Sequence, residues 1–113
     1  MPERRRSTRF RLNYHTTVSD AVTNQYLGKL LDISTDGAML VSEFVLPISQ
    51  TFHLKLKLDQ EISDQSYLVL DAMSIWSHPD IEPGTYNTGF ELLELTPEER
   101  ELIFRLANTF GVD

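Results

Sequence analysis

Polar and apolar residues alternate along most of this chain with a period of two. From Phe10 to Val18, the residues Leu12, Tyr14, Thr16 and Val18 alternate with Arg11, Asn13, His15 and Thr17, as expected of a strand with one buried face. Residues Asp20 to Gln25 read as a turn. A second strand runs from about Tyr26 into a corner at Asp32, and a third from Ala38 to about Phe44. Pro47, Ser49 and Gln50 interrupt the pattern before Phe52, Leu54, Leu56 and Leu58 alternate with His53, Lys55 and Lys57, giving one dry face and one wet face. After a turn at Asp59 to Ser63, Tyr67 to Trp76 is apolar on both faces: Tyr67, Val69, Met73 and Ile75 on one, Leu68, Leu70, Ala72 and Trp76 on the other. That pattern predicts a central strand or a covered outer face. His78, Pro79, Asp80, Pro83 and Gly84 predict a loop, and Tyr86 to about Leu95 a final strand.

The period then changes. Thr96-Pro97-Glu98-Glu99 is a capping box with proline at the first helical position, and Leu102, Ile103, Leu106, Ala107 and Phe110 recur at helical spacing before Gly111. This predicts a C-terminal helix over about residues 97–110 whose stripe covers an open end or flank of the sheet. Six short strands in hairpin order followed by one helix predict a mainly β protein, a six-stranded antiparallel β-barrel.

Composition narrows what such a barrel can do. At 113 residues the chain fits one domain, and without cysteine it has no disulfide framework, thiolate metal site or cysteine nucleophile. No apolar run reaches the roughly 18 residues of a membrane span, and no apolar segment follows the basic N-terminus as it would in a secretory signal. A cytoplasmic location is expected. Residues 1–11 hold Arg4, Arg5, Arg6, Arg9 and Arg11 against Glu3, a local charge of +4; the chain's net −7 therefore leaves −11 on the remainder. The expected organisation is a flexible arginine-rich arm over residues 1–11 and a barrel with its helix over 12–113. The acidic body would repel a long polyanion, whereas a small anion suits the arm.

Candidate chemistry concentrates at Leu31-Asp32-Ile33-Ser34-Thr35-Asp36-Gly37. Strand alternation puts Asp32 and Ser34 on one side and Leu31 and Ile33 on the other, and Gly37 is expected to supply a positive φ for the turn. In the arm, Arg5 and Arg9 are separated by three residues. A guanidinium can grip a phosphate bidentately or read the O6/N7 edge of guanine, while Asp32 can accept from guanine's N1–H and N2 amine, with Ser34 and backbone near Gly37 completing a pocket. Together these groups match a compact guanine-bearing diphosphate. Arg4 and Arg6 crowd the same segment and compete for the phosphates. Trp76, the only tryptophan, is a candidate for stacking on a base, although a lone strand tryptophan also suits a core. His15, His53 and His78 lie on separate elements without metal-ligand spacing. No nucleophile, metal or oxyanion site accompanies Asp20, Asp36, Glu91 or Glu94, so no enzyme activity, metal or cofactor is expected.

Arg5-Arg6-Ser7-Thr8-Arg9 and Asp32-Ile33-Ser34-Thr35-Asp36-Gly37 stand in the order and spacing of the two signatures of the PilZ domain family, R-x-x-x-R and D/N-x-S-x-x-G, and Gly89-Phe90-Glu91 is also typical of it. D-x-S-x-x-G arises by accident about 0.03 times in a chain of this length. The chain thus resembles that family over nearly its whole length. The resemblance implies a six-stranded antiparallel barrel with a C-terminal helix and binding of the bacterial second messenger cyclic di-GMP. The expected contacts are Arg5, Arg9, Asp32, Ser34 and Gly37, with Arg4, Arg6 and Trp76 as further candidates; an arginine before the first motif, here Arg4, resembles members that take up a stacked ligand dimer. The expected mechanism is a disorder-to-order switch of the arm that makes a new surface for a protein partner. Two rivals make different demands. A nucleic-acid-binding barrel needs basic residues continuing onto the strands and exposed aromatic platforms, but only Lys29, Lys55 and Lys57 continue the charge. A ligand-independent protein adaptor needs no intact motifs.

Overall fold

The computed structural model describes the backbone of residues 10–12 and 16–112 and the side chains of residues 16–109. Eight strands and one helix follow in the order β1 (Phe10–Leu12), β2 (Thr17–Asp20), β3 (Tyr26–Ile33), β4 (Gly37–Ser42), β5 (Thr51–Lys57), β6 (Tyr67–Pro79), β7 (Tyr86–Leu92), α1 (Pro97–Phe110) and β8 (Gly111–Val112). The pairings β2–β5–β6–β7–β4–β3 close through β2–β3, all antiparallel, into the six-stranded barrel that the alternation predicts. Closure leaves the barrel strands without open edges.

Several boundaries differ from the expectation. Phe10 to Val18 is not one strand: Arg11 lies opposite Asp32 and Thr17 opposite Lys29, so six steps along the first segment correspond to only three along β3. The two pieces serve different purposes. β2 closes the barrel against β3 and β5, while β1 pairs with the far end of β3 and with β8. The predicted loop at His78 and Pro79 is instead the end of β6, with His78 opposite Asn87 and Pro79 opposite Tyr86. Gly111 ends the helix as expected but then extends into β8, where it faces Leu12.

Leu30, Ile33, Leu40, Leu54, Leu56, Leu70 and Phe90 are almost wholly excluded from solvent and fill the barrel. Phe90 is the largest, and the edge of Phe52 meets it at 5.6 Å between centroids and 87°. The α1 stripe joins this core through Ile103 and Leu106, with Leu102 partly covered; the Phe110 side chain lies outside the described residues. The capping box forms as predicted: the Glu99 amide donates to Thr96 Oγ1 at 3.1 Å and the Thr96 amide to Glu99 Oε1 at 2.9 Å. The helix therefore begins at a fixed point and lays Ile103 and Leu106 against the barrel core. Among the described residues no helix is long and apolar enough to cross a membrane.

Candidate functional site

A strand presents alternate residues to opposite faces until a bulge inserts one extra residue. Two bulges shape the outer face here. On β3, Leu30 faces Leu40 but Asp32 faces Met39, leaving Leu31 as the extra residue. Leu30 and Ile33 thereby both enter the core, each at 1% exposure, whereas strict alternation would expose one of them. The expectation that Leu31 and Ile33 share a face is corrected by this bulge. Asp32 lies opposite Met39 on β4, and so on the outer face with it.

On β6, Ser74 faces Phe90 but Trp76 faces Gly89, leaving Ile75 as the extra residue. Leu68, Leu70, Ala72 and Ser74 point inward and are buried. Strict alternation would send Trp76 after them; the bulge turns it out. Trp76 is half-buried and lies directly on Gly89, where a Cβ would fall 2.2 Å from its Cε2 atom and 2.3 Å from its Nε1. Only glycine leaves room for that contact. His78 stacks on the indole at 5.2 Å and 25°.

The register then runs Asp32, Met39, Gly89, Trp76 across β3, β4, β7 and β6. Three strand spacings make this outer row roughly 14 Å long. At the Asp32 end, Arg11 of β1 lies opposite Asp32, so the arm leads to this edge of the row. Asp32, at 9% exposure, offers a carboxylate in a site that is largely shielded from water, where its interactions are stronger than on an open surface.

Ser34 builds the corner beside Asp32. Its Oγ accepts from the amides of Asp36 (3.1 Å) and Gly37 (3.3 Å), and its own amide donates to the Gly37 carbonyl at 2.8 Å. The Leu92 amide donates to the Asp36 carbonyl at 3.1 Å, tying the corner to β7. The backbone of Gly37 is thus engaged within the turn. Its φ is not positive, contrary to expectation; the glycines with positive φ are Gly28 and Gly84. What shapes the corner is the serine hydroxyl, which satisfies two amides at once.

Of the residues predicted from sequence, Asp32, Ser34, Gly37 and Trp76 therefore gather along one outer row and its corner. Arg4, Arg5, Arg6 and Arg9 lie outside the described residues. Met39 and Gly89 as the middle of the row escape a reading by alternation, because the register that aligns them depends on both bulges. A glycine inside a strand next to a buried phenylalanine was the available signal for Gly89. Among the remaining titratable groups, His53 Nδ1 pairs with Asp71 at 2.7 Å on an exposed stretch of β5 and β6. No cluster of three metal-ligating side chains occurs among the described residues. Lys55 reaches Asn24 and sits 4.4 Å over the Tyr67 ring. It sits on β5 opposite Val69, beside the part of β6 remote from Trp76, and does not extend a basic track from the arm.

Comparison with known proteins gives one consistent result. The PilZ domain family model matches residues 3–108. Similar folds include the PilZ domain with c-di-GMP of YcgR from Escherichia coli, at 18% identity and a TM-score of 0.73, with 96% of this chain and 92% of that one covered. The PilZ domain of CeSA from a cellulose-synthesising bacterium matches at 19% identity and a TM-score of 0.56, covering 91% and 97%. The PlzA protein of Borreliella burgdorferi in complex with c-di-GMP matches at 14% identity and 0.62, and here the chain, covered over 92%, spans only 50% of its relative. No curated protein sequence matches the chain.

Proposed function

Because this chain belongs to the PilZ domain family, we propose that it is a receptor for cyclic di-GMP, which lies along the outer row between Asp32 and Trp76. The observation that carries this reading is the pair of bulges, one at each end of the row: that on β3 lets Leu30 and Ile33 both enter the core with Asp32 on the outer face between them, and that on β6 turns out Trp76, which simple alternation from Leu68 to Ser74 would bury. Bulges that re-aim side chains cost ladder hydrogen bonds and concentrate at binding sites. The Asp32 carboxylate accepts from the N1–H and N2 amine of one guanine. The Ser34 hydroxyl, already accepting two amides, retains its proton to donate to the ligand. Gly37 holds the corner's shape, and Trp76, fixed on Gly89, closes the far end of the row.

Arg5 and Arg9 close over the two phosphates, with Arg4 and Arg6 available to a second ligand molecule stacked on the first. Arm closure joins a basic segment to an acidic barrel and so changes the surface charge around Asp32; this new surface is the output, acting on a protein partner. Fold and family speak for a binding domain rather than an enzyme. Titration calorimetry tests the assignment. With a charged hydrogen bond worth about 1.5–3 kcal/mol, Arg5→Ala and Arg9→Ala should each weaken cyclic di-GMP binding about 10- to 100-fold. Unchanged affinity in both variants would remove the arm from the site, and equal affinity of the parent protein for cyclic di-AMP would remove guanine recognition.

A further inference from the structure

The outer faces of antiparallel barrels are normally polar, and β5 follows the rule with His53, Lys55 and Lys57. The first part of β6 does not. Tyr67 and Val69 are 45% and 44% exposed, and they face a groove of about 660 Å³ whose opposite wall is the N-terminal half of α1. Leu102 adds to the apolar floor, and Glu98, Glu101 and Arg105 form the rim. Six residues of β6 separate Val69 from Trp76, roughly 20 Å along the strand, so this groove and the outer row are distinct surfaces.

We propose that the groove is the seat of a cationic amphipathic segment of a partner protein, with apolar side chains on Tyr67, Val69 and Leu102 and lysine or arginine at the glutamate rim. The groove is wide and its floor half-exposed, which suits an extended or helical peptide better than an enclosed small molecule. The charge of the lining is negative: Glu98, Glu99 and Glu101 stand against Arg105, and Lys55 of β5, over the Tyr67 ring, adds one cation beside the floor. That arginine is already committed, its Nε donating to Glu101 at 3.4 Å and its Nη1 to the Ile62 carbonyl at 3.3 Å. Among the described residues Glu98 has no cationic partner. An anionic partner, or a second copy of a body carrying −11, would meet like charge. The chain's own arm could match the rim but supplies little for the floor, since its arginine run, Arg4 to Arg9, contains no apolar residue.

The probe is a synthetic helix with one leucine face and one lysine face, titrated into the ¹⁵N-labelled full chain, with a leucine–glutamate helix as its counterpart. The expected result is saturable shifts at Tyr67, Val69 and Leu102 with the lysine peptide and none with the glutamate peptide. Val69→Ser should weaken binding about tenfold, the loss typical of an interface anchor. Glu98→Lys combined with Glu101→Lys should reverse the preference between the peptides. Shifts centred elsewhere, or an unchanged preference in the reversed variant, would overturn the proposal. Groove shifts that appear on substituting Arg4, Arg5 and Arg6 by alanine would assign the groove to the arm, and shifts that change on dilution would assign it to a second copy; either result also overturns it. Addition of cyclic di-GMP is not required for any of these outcomes, so failure here leaves the assignment of the outer row intact.

Discussion

The two ends of β6 show how one strand can carry two kinds of surface. Near its C-terminal end a bulge at Ile75 turns Trp76 out and lays it on Gly89, so the side chain stands half-buried on the outer face and is held in place by backbone. Near its N-terminal end, Tyr67 and Val69 point out by ordinary alternation and remain open beside α1. The first arrangement gains specificity because the position of the ring is fixed before anything binds. The second offers apolar area with little positional constraint, which suits an adaptable protein contact. The difference lies in the register: the Tyr67 end pairs with β5 without interruption, whereas the Trp76 end carries a bulge against β7.

The largest expected effect separates the two ends outright. Asp32→Ala should weaken cyclic di-GMP binding about 10- to 100-fold and erase the preference over cyclic di-AMP in calorimetry, while Val69→Ser should leave both within about twofold, as expected for a distant, independent site. Comparable losses in the two variants would mean that the ends are not independent. Next, Gly89→Ala places a methyl group inside the volume of the indole. The ring must swing off β7, and the expected result is red-shifted tryptophan emission with about a tenfold loss of cyclic di-GMP affinity. Unchanged emission would show that Trp76 does not depend on its glycine seat.

A smaller effect concerns the corner. Ser34→Ala leaves the Asp36 and Gly37 amides without their acceptor and should cost about 1–2 kcal/mol in urea unfolding, whereas removing the exposed Val69 side chain should cost less than about 0.5 kcal/mol. The smallest is remote from both ends. The Asp20 carboxylate accepts from the amides of Val22 (2.8 Å) and Thr23 (3.0 Å), and these hydrogen bonds, that of Thr23 foremost, hold its pKa below the ordinary value. A depressed folded pKa adds stability above the unfolded value of about 3.9 that is lost as pH falls through the folded one. Asp20→Asn should therefore be slightly less stable than the parent at pH 7 and indistinguishable from it once the parent's carboxylate is protonated.

Much of this molecule is legible from alternation and capping. The barrel strands, the Thr96–Glu99 cap and the α1 stripe all follow from local pattern because each is set by neighbouring residues. The motif corner is legible as a candidate site for the same reason, since Asp32, Ser34 and Gly37 are close in sequence. What pattern could not supply was register. Strict alternation put Trp76 on the face of Leu68, Leu70 and Ala72, and Leu31 beside Ile33. The bulges that decide both depend on how β3 and β6 register against the strands that follow them, β4 and β7, and leave no local trace beyond Gly89. The division of Phe10 to Val18 into β1 and β2 is equally non-local, being set by how β3 shares its length between two partners. β8 is a further case: Gly111 signals the end of a helix, but only the presence of β1 gives the following residues a ladder to join.

The account turns on the arm closing over a ligand that lies between Asp32 and Trp76. Heteronuclear amide NOEs of the ¹⁵N-labelled full chain, recorded with and without cyclic di-GMP, address it most directly. The expected outcome is that the values for Arg4 to Arg9 rise toward those of the barrel strands as the ligand is added, together with shifts at Asp32, Met39, Gly89 and Trp76. NOEs for the arm that stay the same at saturating ligand, or shifts confined to other strands, would contradict it.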